Sequence, residues 1–169
     1  MMIAMPDFSK TLIFKGLTNQ QLLLIQEYLE INSYAKGEVI IEENTQGSRL
    51  YVLTSGMVAV TKNLVMDILD SQETEAKRLA TLNGKDMPSF GENGLITNGL
   101  RTANVIAAED CTVFELSGDN FNKIVQKDIY TGYQIVRNIS SIVCKRLEDT
   151  DKNVVKLATA LFLAVGARN

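Results

Sequence analysis

Two charged side chains in one short segment have the chemistry to hold a small anion. Residues 89–105 read SFGENGLITNGLRTANV, with Glu92 directly after Gly91 and Arg101 nine residues beyond the glutamate. A guanidinium fork can grip a phosphate through two parallel charge-assisted bonds, each contributing about 1.5–3 kcal/mol. An ionised carboxylate only accepts, so Glu92 needs a hydroxyl or amine donor beside it. Gly91 lets the backbone turn tightly and approach a ligand. A single helical turn opening at Glu92 or Asn93 would add free backbone N–H groups, which favour anions. Phosphate on one side and a sugar hydroxyl on the other describe a nucleotide with a compact phosphate. The same Glu and Arg could equally pair with each other as a surface ion bridge of little energetic weight. Spacing alone leaves both readings open.

The elements around this segment fall into three parts. Thr18, followed three residues later by Gln21, is a capping-box signature opening the helix TNQQLLLIQEYLE, with Leu22, Ile25 and Leu29 at helical spacing. A shorter helical piece is expected near Ser9–Phe14, separated from the first by Gly16. From about Ser33 to Leu116 the chain reads as strands: EVIIEE, RLYVLTSG, MVAVTKN, LVMDILD, RLATL, ANVIAA and CTVFEL. Glycine turn signals at Gly37, Gly47, Gly56 and Gly84 punctuate them. Many short strands at regular spacing predict a β-barrel or a sandwich of the jelly-roll kind. A polar hairpin tip is expected at Gln72–Lys77, and Phe90 should anchor the charged segment in the core.

The third part is helical. Ser117 is placed to cap a short helix through DNFNKIVQK, and a long helix should follow from about Asp128 to Val165. At 1.5 Å per residue it would run roughly 55 Å, longer than a small β-roll is wide. Leu147, Thr150, Val154, Leu157, Leu161 and Ala164 recur at alternating spacings of three and four, a heptad seam. Such a stripe either folds back on its own roll or pairs with a second copy, and the second arrangement is the expected one.

Composition excludes several function classes. The chain has 169 residues, 46% of them hydrophobic and 22% charged, which suits one soluble globular domain. A net charge of −3 gives no basic surface for general nucleic-acid or anionic-membrane binding. No histidine is present, which removes Ser-His-Asp and Cys-His nucleophile systems and histidine metal sites. No pair of acids stands out at strand ends, so an enzyme is not expected. Cys111 and Cys144 sit in apolar runs and are expected as buried free thiols, in keeping with a reducing cytoplasm. The N-terminal MMIAMPDFSK lacks a signal-peptide pattern, and the ten-residue KLATALFLAV is too short to span a membrane.

FGENGLITNGLRTA resembles the phosphate-binding cassette of the cyclic nucleotide-binding domain family, which includes the catabolite activator protein and the regulatory subunits of cyclic-AMP-dependent protein kinase. Phe90, Gly91, Glu92, Leu95, Arg101, Thr102 and Ala103 match its pattern without a gap. KGEVIIEENTQGSRLYVLTSGMVAV, LTNQQLLLIQEYL and CTVFELSGDNFNKIV resemble the strands and helices on either side. The resemblance implies a mainly β fold: a double-stranded β-helix, or jelly-roll β-roll, with N-terminal helices and a long C-terminal helix. Residues 1–126 would form the cyclic nucleotide-binding roll and 127–169 the dimerisation helix of the same structural domain.

By the same resemblance, Arg101 would hold the exocyclic oxygens of the cyclic phosphate from the pocket mouth, adding little to the core. Glu92 would accept from the ribose 2′-OH. Backbone at Gly91, Asn93 and Thr102 would complete a cradle that includes Ala103, and the Thr102 hydroxyl could reach the phosphate or a syn guanine. Thr150 would meet the base bound by the other chain of a dimer, with Asp151 beside it. Three departures stand out: Leu100 replaces the usual proline, Asn93 replaces an apolar residue, and NGKDMPS is longer than the usual turn. The chain ends at Asn169, where the catabolite activator group begins its helix-turn-helix domain.

The expected function is a cyclic nucleotide sensor, with cAMP, possibly cGMP, as regulatory ligand and no other cofactor. It would be a cytoplasmic homodimer acting through an unnamed protein partner, without binding nucleic acid or membrane. The alternatives are the sensory fragment of a transcription factor and a degenerate scaffold that binds nothing.

Overall fold

A computed structural model describes residues 6–65 and 74–166. Two short 3-10 turns, Phe8–Lys10 and Leu12–Phe14, open it, followed by helix α1 (Asn19–Gln26). The Thr18–Gln21 capping box forms in both directions, which fixes where α1 begins. The helix is shorter than its sequence pattern suggests: it ends at Gln26, and strand β1 (Glu30–Tyr34) starts within the residues read as helical. β1 is an edge strand with the mixed sequence EINSY and little burial, so it carries none of the alternation that marks a strand.

Seven further strands follow: β2 (Val39–Ile41), β3 (Leu50–Ser55), β4 (Met57–Val65), β5 (Thr74–Asn83), β6 (Ser89–Phe90), β7 (Asn104–Ala107) and β8 (Cys111–Leu116). They form two four-stranded antiparallel sheets, β1-β8-β3-β6 and β2-β7-β4-β5, which make up the jelly-roll β-roll. β4 runs unbroken through Leu64 and Val65, so those residues extend MVAVTKN rather than opening a separate strand. Thr74–Lys77, expected in the hairpin tip, are paired in β5. The rest of that tip and of LVMDILD lie outside the described residues.

β3 and β8 are buried on both faces. Leu50, Val52, Phe114 and Leu116 face the helices, in a cluster with Phe8, Phe14, Ile25 and Ile135. Tyr51, Leu53 and Val113 point into the roll beside Phe90, Val58 and Val105. This double burial is why RLYVLTSG reads as a continuous apolar run rather than an alternating one.

Helix α2 (Glu92–Thr97) leaves the roll after β6, and helix α3 (Gly118–Lys127) follows β8 with Ser117 as its N-cap. The 38-residue helix α4 (Ile129–Gly166) ends the described chain. Asp128 breaks α3 from α4 in an extended conformation, then accepts bonds from the Tyr130 amide, the Thr131 hydroxyl and the Gln21 side chain. α4 buries Thr131, Gly132, Ile135 and Ile139 against the body. Ile142 still packs partly against the helix-side core, and from Val143 onward the apolar residues of the helix are in the open, with Leu147 60%, Leu157 76% and Leu161 66% exposed. The heptad seam therefore does not fold back on its own roll. Cys144 lies on this projecting part and is exposed, against the expectation of a buried thiol, whereas Cys111 is buried and burial pushes its thiol pKa up.

Candidate functional site

The segment between β6 and β7 forms a small cup at one edge of the roll. Phe90 anchors it, stacked on Tyr51 with ring centroids 5.2 Å apart. Gly91 takes a left-handed conformation (φ 75°) that turns the chain into α2, which starts at Glu92. The residues before Phe90 coil into a 3-10 turn at Gly84–Asp86, and Met87 plugs into the helix-side core. The longer NGKDMPS turn is thus absorbed without displacing Phe90.

Arg101 is deeper than a pocket-mouth residue. It is 7% exposed, and its guanidinium donates to the Gly91 carbonyl (3.1 Å) and the Arg49 carbonyl (2.9 Å) while lying over the Tyr51 ring. Two of its five N–H donors are used in this way, leaving three. Burial first, and then the nearby Glu115 carboxylate, raise the Tyr51 hydroxyl above its ordinary value, so that wall stays neutral. Glycines make the space for the guanidinium. A Cβ on Gly94 would come within 2.4 Å of Arg101 Nη1, and one on Gly47 within 2.8 Å of its Nε. The backbone of Arg101 is held as well: its N–H donates to the Thr45 carbonyl and its carbonyl accepts from Asn44. Leu100 forms a β-bridge with Gln46, so the loop between β2 and β3 restrains a turn that lacks the usual proline.

Glu92 is 3% exposed and does not pair with Arg101. Its Oε1 accepts from Arg146, one turn before Thr150 on α4. Its Oε2 is buried with no hydrogen-bond partner among the described residues. Glu92 and Arg101 line a common cavity of about 110 Å³. Gly91, Asn93, Thr102 and Ala103 lie on its rim, and Ile41, Val60 and Val105 form an apolar floor. The cassette residues expected to bind the ligand therefore line one cavity, while Phe90 and Leu95 pack into the two core clusters. Thr150 is not among the lining residues; it is exposed, and its hydroxyl bonds back to the Arg146 carbonyl. Arg146, Gly94 and Gly47 are the parts that spacing alone did not reveal. Arg146 lies more than 50 residues from Glu92 and meets it only because α4 crosses the cup.

A buried acceptor without a donor and an arginine with free N–H groups, set around an apolar floor, suit a ligand carrying a hydroxyl, an anion and a flat apolar ring. The family model described as "Cyclic nucleotide-binding domain" matches residues 31–128. The chain belongs to that family. A cGMP-dependent protein kinase of Caenorhabditis briggsae is 32% identical over 118 residues, which is 69% of this chain and 15% of the kinase. The chain therefore corresponds to a small part of that relative's length. The catabolite activator protein of Thermus thermophilus shares the fold at a TM-score of 0.74 and 22% identity, over 87% of this chain and 63% of that one. The cAMP-bound regulatory domain of Toxoplasma gondii PKA does so at a TM-score of 0.58 and 24% identity, over 69% of this chain and 41% of that one. No helix among the described residues is long and apolar enough to cross a membrane.

Proposed function

We propose that the domain is a sensor that binds a cyclic purine nucleotide, with cAMP as its ligand, and signals through α4 without catalysing a reaction. The buried, partnerless Oε2 of Glu92, in the same cavity as Arg101, is the observation that carries this reading. An unsatisfied buried acceptor is costly. A ribose 2′-OH supplies the donor it lacks, and the cyclic phosphate takes the remaining N–H groups of Arg101. The apolar floor of Ile41, Val60 and Val105 receives the base. A cavity of about 110 Å³ is small beside the roughly 300–1,000 Å³ of typical ligand pockets, so binding requires the cup to widen. α4, which closes it through Arg146, is the element that has to respond.

Leu95 is packed in the same cluster as Phe121 of α3, which gives the cassette a mechanical route to the α3–α4 junction at Asp128. A ligand biases that junction only by its differential affinity for the two arrangements. The exposed seam of α4 supports a homodimer that presents a changed surface to a protein partner.

Calorimetry with cAMP, cGMP, cyclic di-GMP and 2′-deoxy-cAMP tests this. The expected order is cAMP first, with the deoxy analogue bound poorly and nearly insensitive to Glu92→Gln. Tighter binding of cGMP would favour a second reading, for which the exposed Thr102 on the rim gives a reason: its hydroxyl can meet a guanine edge. No binding of any of the four would leave the domain as a dimeric scaffold.

A further inference from the structure

Arg146 stands at the edge of two features at once. Its Nη1 donates to Glu92 in the cup and its Nη2 to the Ser89 carbonyl at a long 3.5 Å, yet its side chain is 54% exposed and three of its five N–H donors remain. It also directly precedes Leu147, the first residue of the heptad seam. With Leu147, Val154 and Leu161 in one core position and Thr150, Leu157 and Ala164 in the other, Arg146 flanks the seam on one side. Asp151, five residues later, flanks it on the other. In two parallel, in-register helices, flanking residues so spaced meet across the seam.

The charges along this stretch are otherwise accounted for within the chain. Lys145 pairs with Glu148 and Asp149, Lys152 pairs with Asp149, and Arg146 pairs with Glu92. Of the charged side chains from Lys145 to Lys152, Asp151 is the one without an ion-pair partner among the described residues. A second copy in parallel supplies one, twice over by symmetry. In an antiparallel pairing of the same seam each flank faces its own kind on the other helix, so Arg146 and Asp151, which lie on opposite flanks, would not meet.

We propose that Arg146 bridges Glu92 of its own chain and Asp151 of a second copy, joining the nucleotide site and the dimer seam into one electrostatic unit. The proposal rests on the sensor reading above and adds to it the residue pair that makes dimerisation and ligand binding interdependent. Linkage then requires the nucleotide to strengthen the dimer by the factor by which dimerisation strengthens nucleotide binding.

Sedimentation equilibrium of the full chain tests the bridge, using wild type, Asp151→Asn, Asp151→Arg, Arg146→Glu and the double variant Arg146→Glu/Asp151→Arg. Asp151 is exposed, so its substitutions should leave the fold unchanged by circular dichroism. Each charge reversal should weaken the dimer by roughly tenfold, in line with two surface ion pairs lost and like charges opposed. The double variant should recover most of that loss. Added cAMP should tighten the wild-type dimer severalfold and leave the Asp151→Asn dimer nearly unchanged. A double variant as weak as the two single reversals combined, or a monomeric wild type, overturns the bridge. If wild type binds no nucleotide, the sensor reading fails, and the charge swap still decides whether the ion pair exists.

Discussion

At the scale of the residue, Arg101 has two jobs that its sequence position separates poorly. The motif marks it as a ligand group, but its burial and its bonds to the Gly91 and Arg49 carbonyls make it a brace of the cup as well. Arg101→Ala should therefore abolish nucleotide binding and also destabilise the domain by about 1–3 kcal/mol, because two part-buried carbonyls lose their donor. Arg101→Lys should keep part of the stability and little of the affinity, since one ammonium cannot reproduce the planar fork. Thermal melting read beside calorimetry separates the two roles, and an alanine variant that melts like wild type would show that the brace contributes nothing. Gly94 belongs to the same device. A Cβ there would lie 2.3 Å from the Gly47 carbonyl oxygen and 2.4 Å from Arg101, and a backbone oxygen cannot yield cheaply. Gly94→Ala should cost about 1–3 kcal/mol from overpacking and displace the guanidinium, lowering affinity by well over tenfold. Unchanged calorimetry in that variant would mean the cup is looser than its contacts indicate. Glu92 and Arg101 were legible because they lie close together in a patterned segment. Arg146 was not, because its partner is set by the crossing of a distant helix.

At the scale of the element, the junction between α3 and α4 depends on one carboxylate. Asp128 caps α4 through Tyr130 and Thr131 and ties α1 to the same point through Gln21. The Thr131 bond first, and then the Gln21 bond, hold its pKa below the ordinary value of 3.8. The sign follows from that direction. A carboxyl whose folded pKa is depressed contributes stability above its unfolded value and loses it as pH falls through the lower folded value. Asp128→Ala should thus lower the melting temperature at pH 7, and the gap from wild type should close as pH falls below 3.8. A gap that persists unchanged at pH 2.5 would place the effect elsewhere. The capped elements were the legible ones: Thr18 and Ser117 announce α1 and α3 by residue type, and both caps form. β1 was missed because an exposed edge strand buries almost nothing, so its side chains need not alternate. The split of LVMDILD from MVAVTKN failed for a related reason, since a long hairpin strand keeps its pairing where its hydrophobic pattern drifts.

At the scale of the whole molecule, the two-sheet roll follows from the spacing of short strands and turn glycines, and the projecting helix follows from length alone. A 38-residue helix extends roughly 57 Å at 1.5 Å per residue, beyond anything the roll can cover. The sequence pattern could not show which way α4 leaves the body; packing of Ile135 and Ile139 decides that, and it leaves the seam from Leu147 onward open. Leu157 sits at the middle of that seam and is 76% exposed within one chain. Its burial in a pair of helices would contribute about 1.5–3 kcal/mol per protomer. Leu157→Glu removes that contribution and sets two like charges against each other across the twofold axis, so the variant should sediment as a monomer. Because Leu157 is 76% exposed and belongs to neither core cluster of the described residues, the melting of the monomer fold should change little, which separates loss of assembly from loss of folding. Nucleotide affinity should fall as well, since binding through Glu92 and Arg146 draws on the same helix. A Leu157→Glu protein that remains dimeric at tens of micromolar would move the interface off this seam. One that is monomeric but binds nucleotide as tightly as wild type would show the cup to be complete within a single chain.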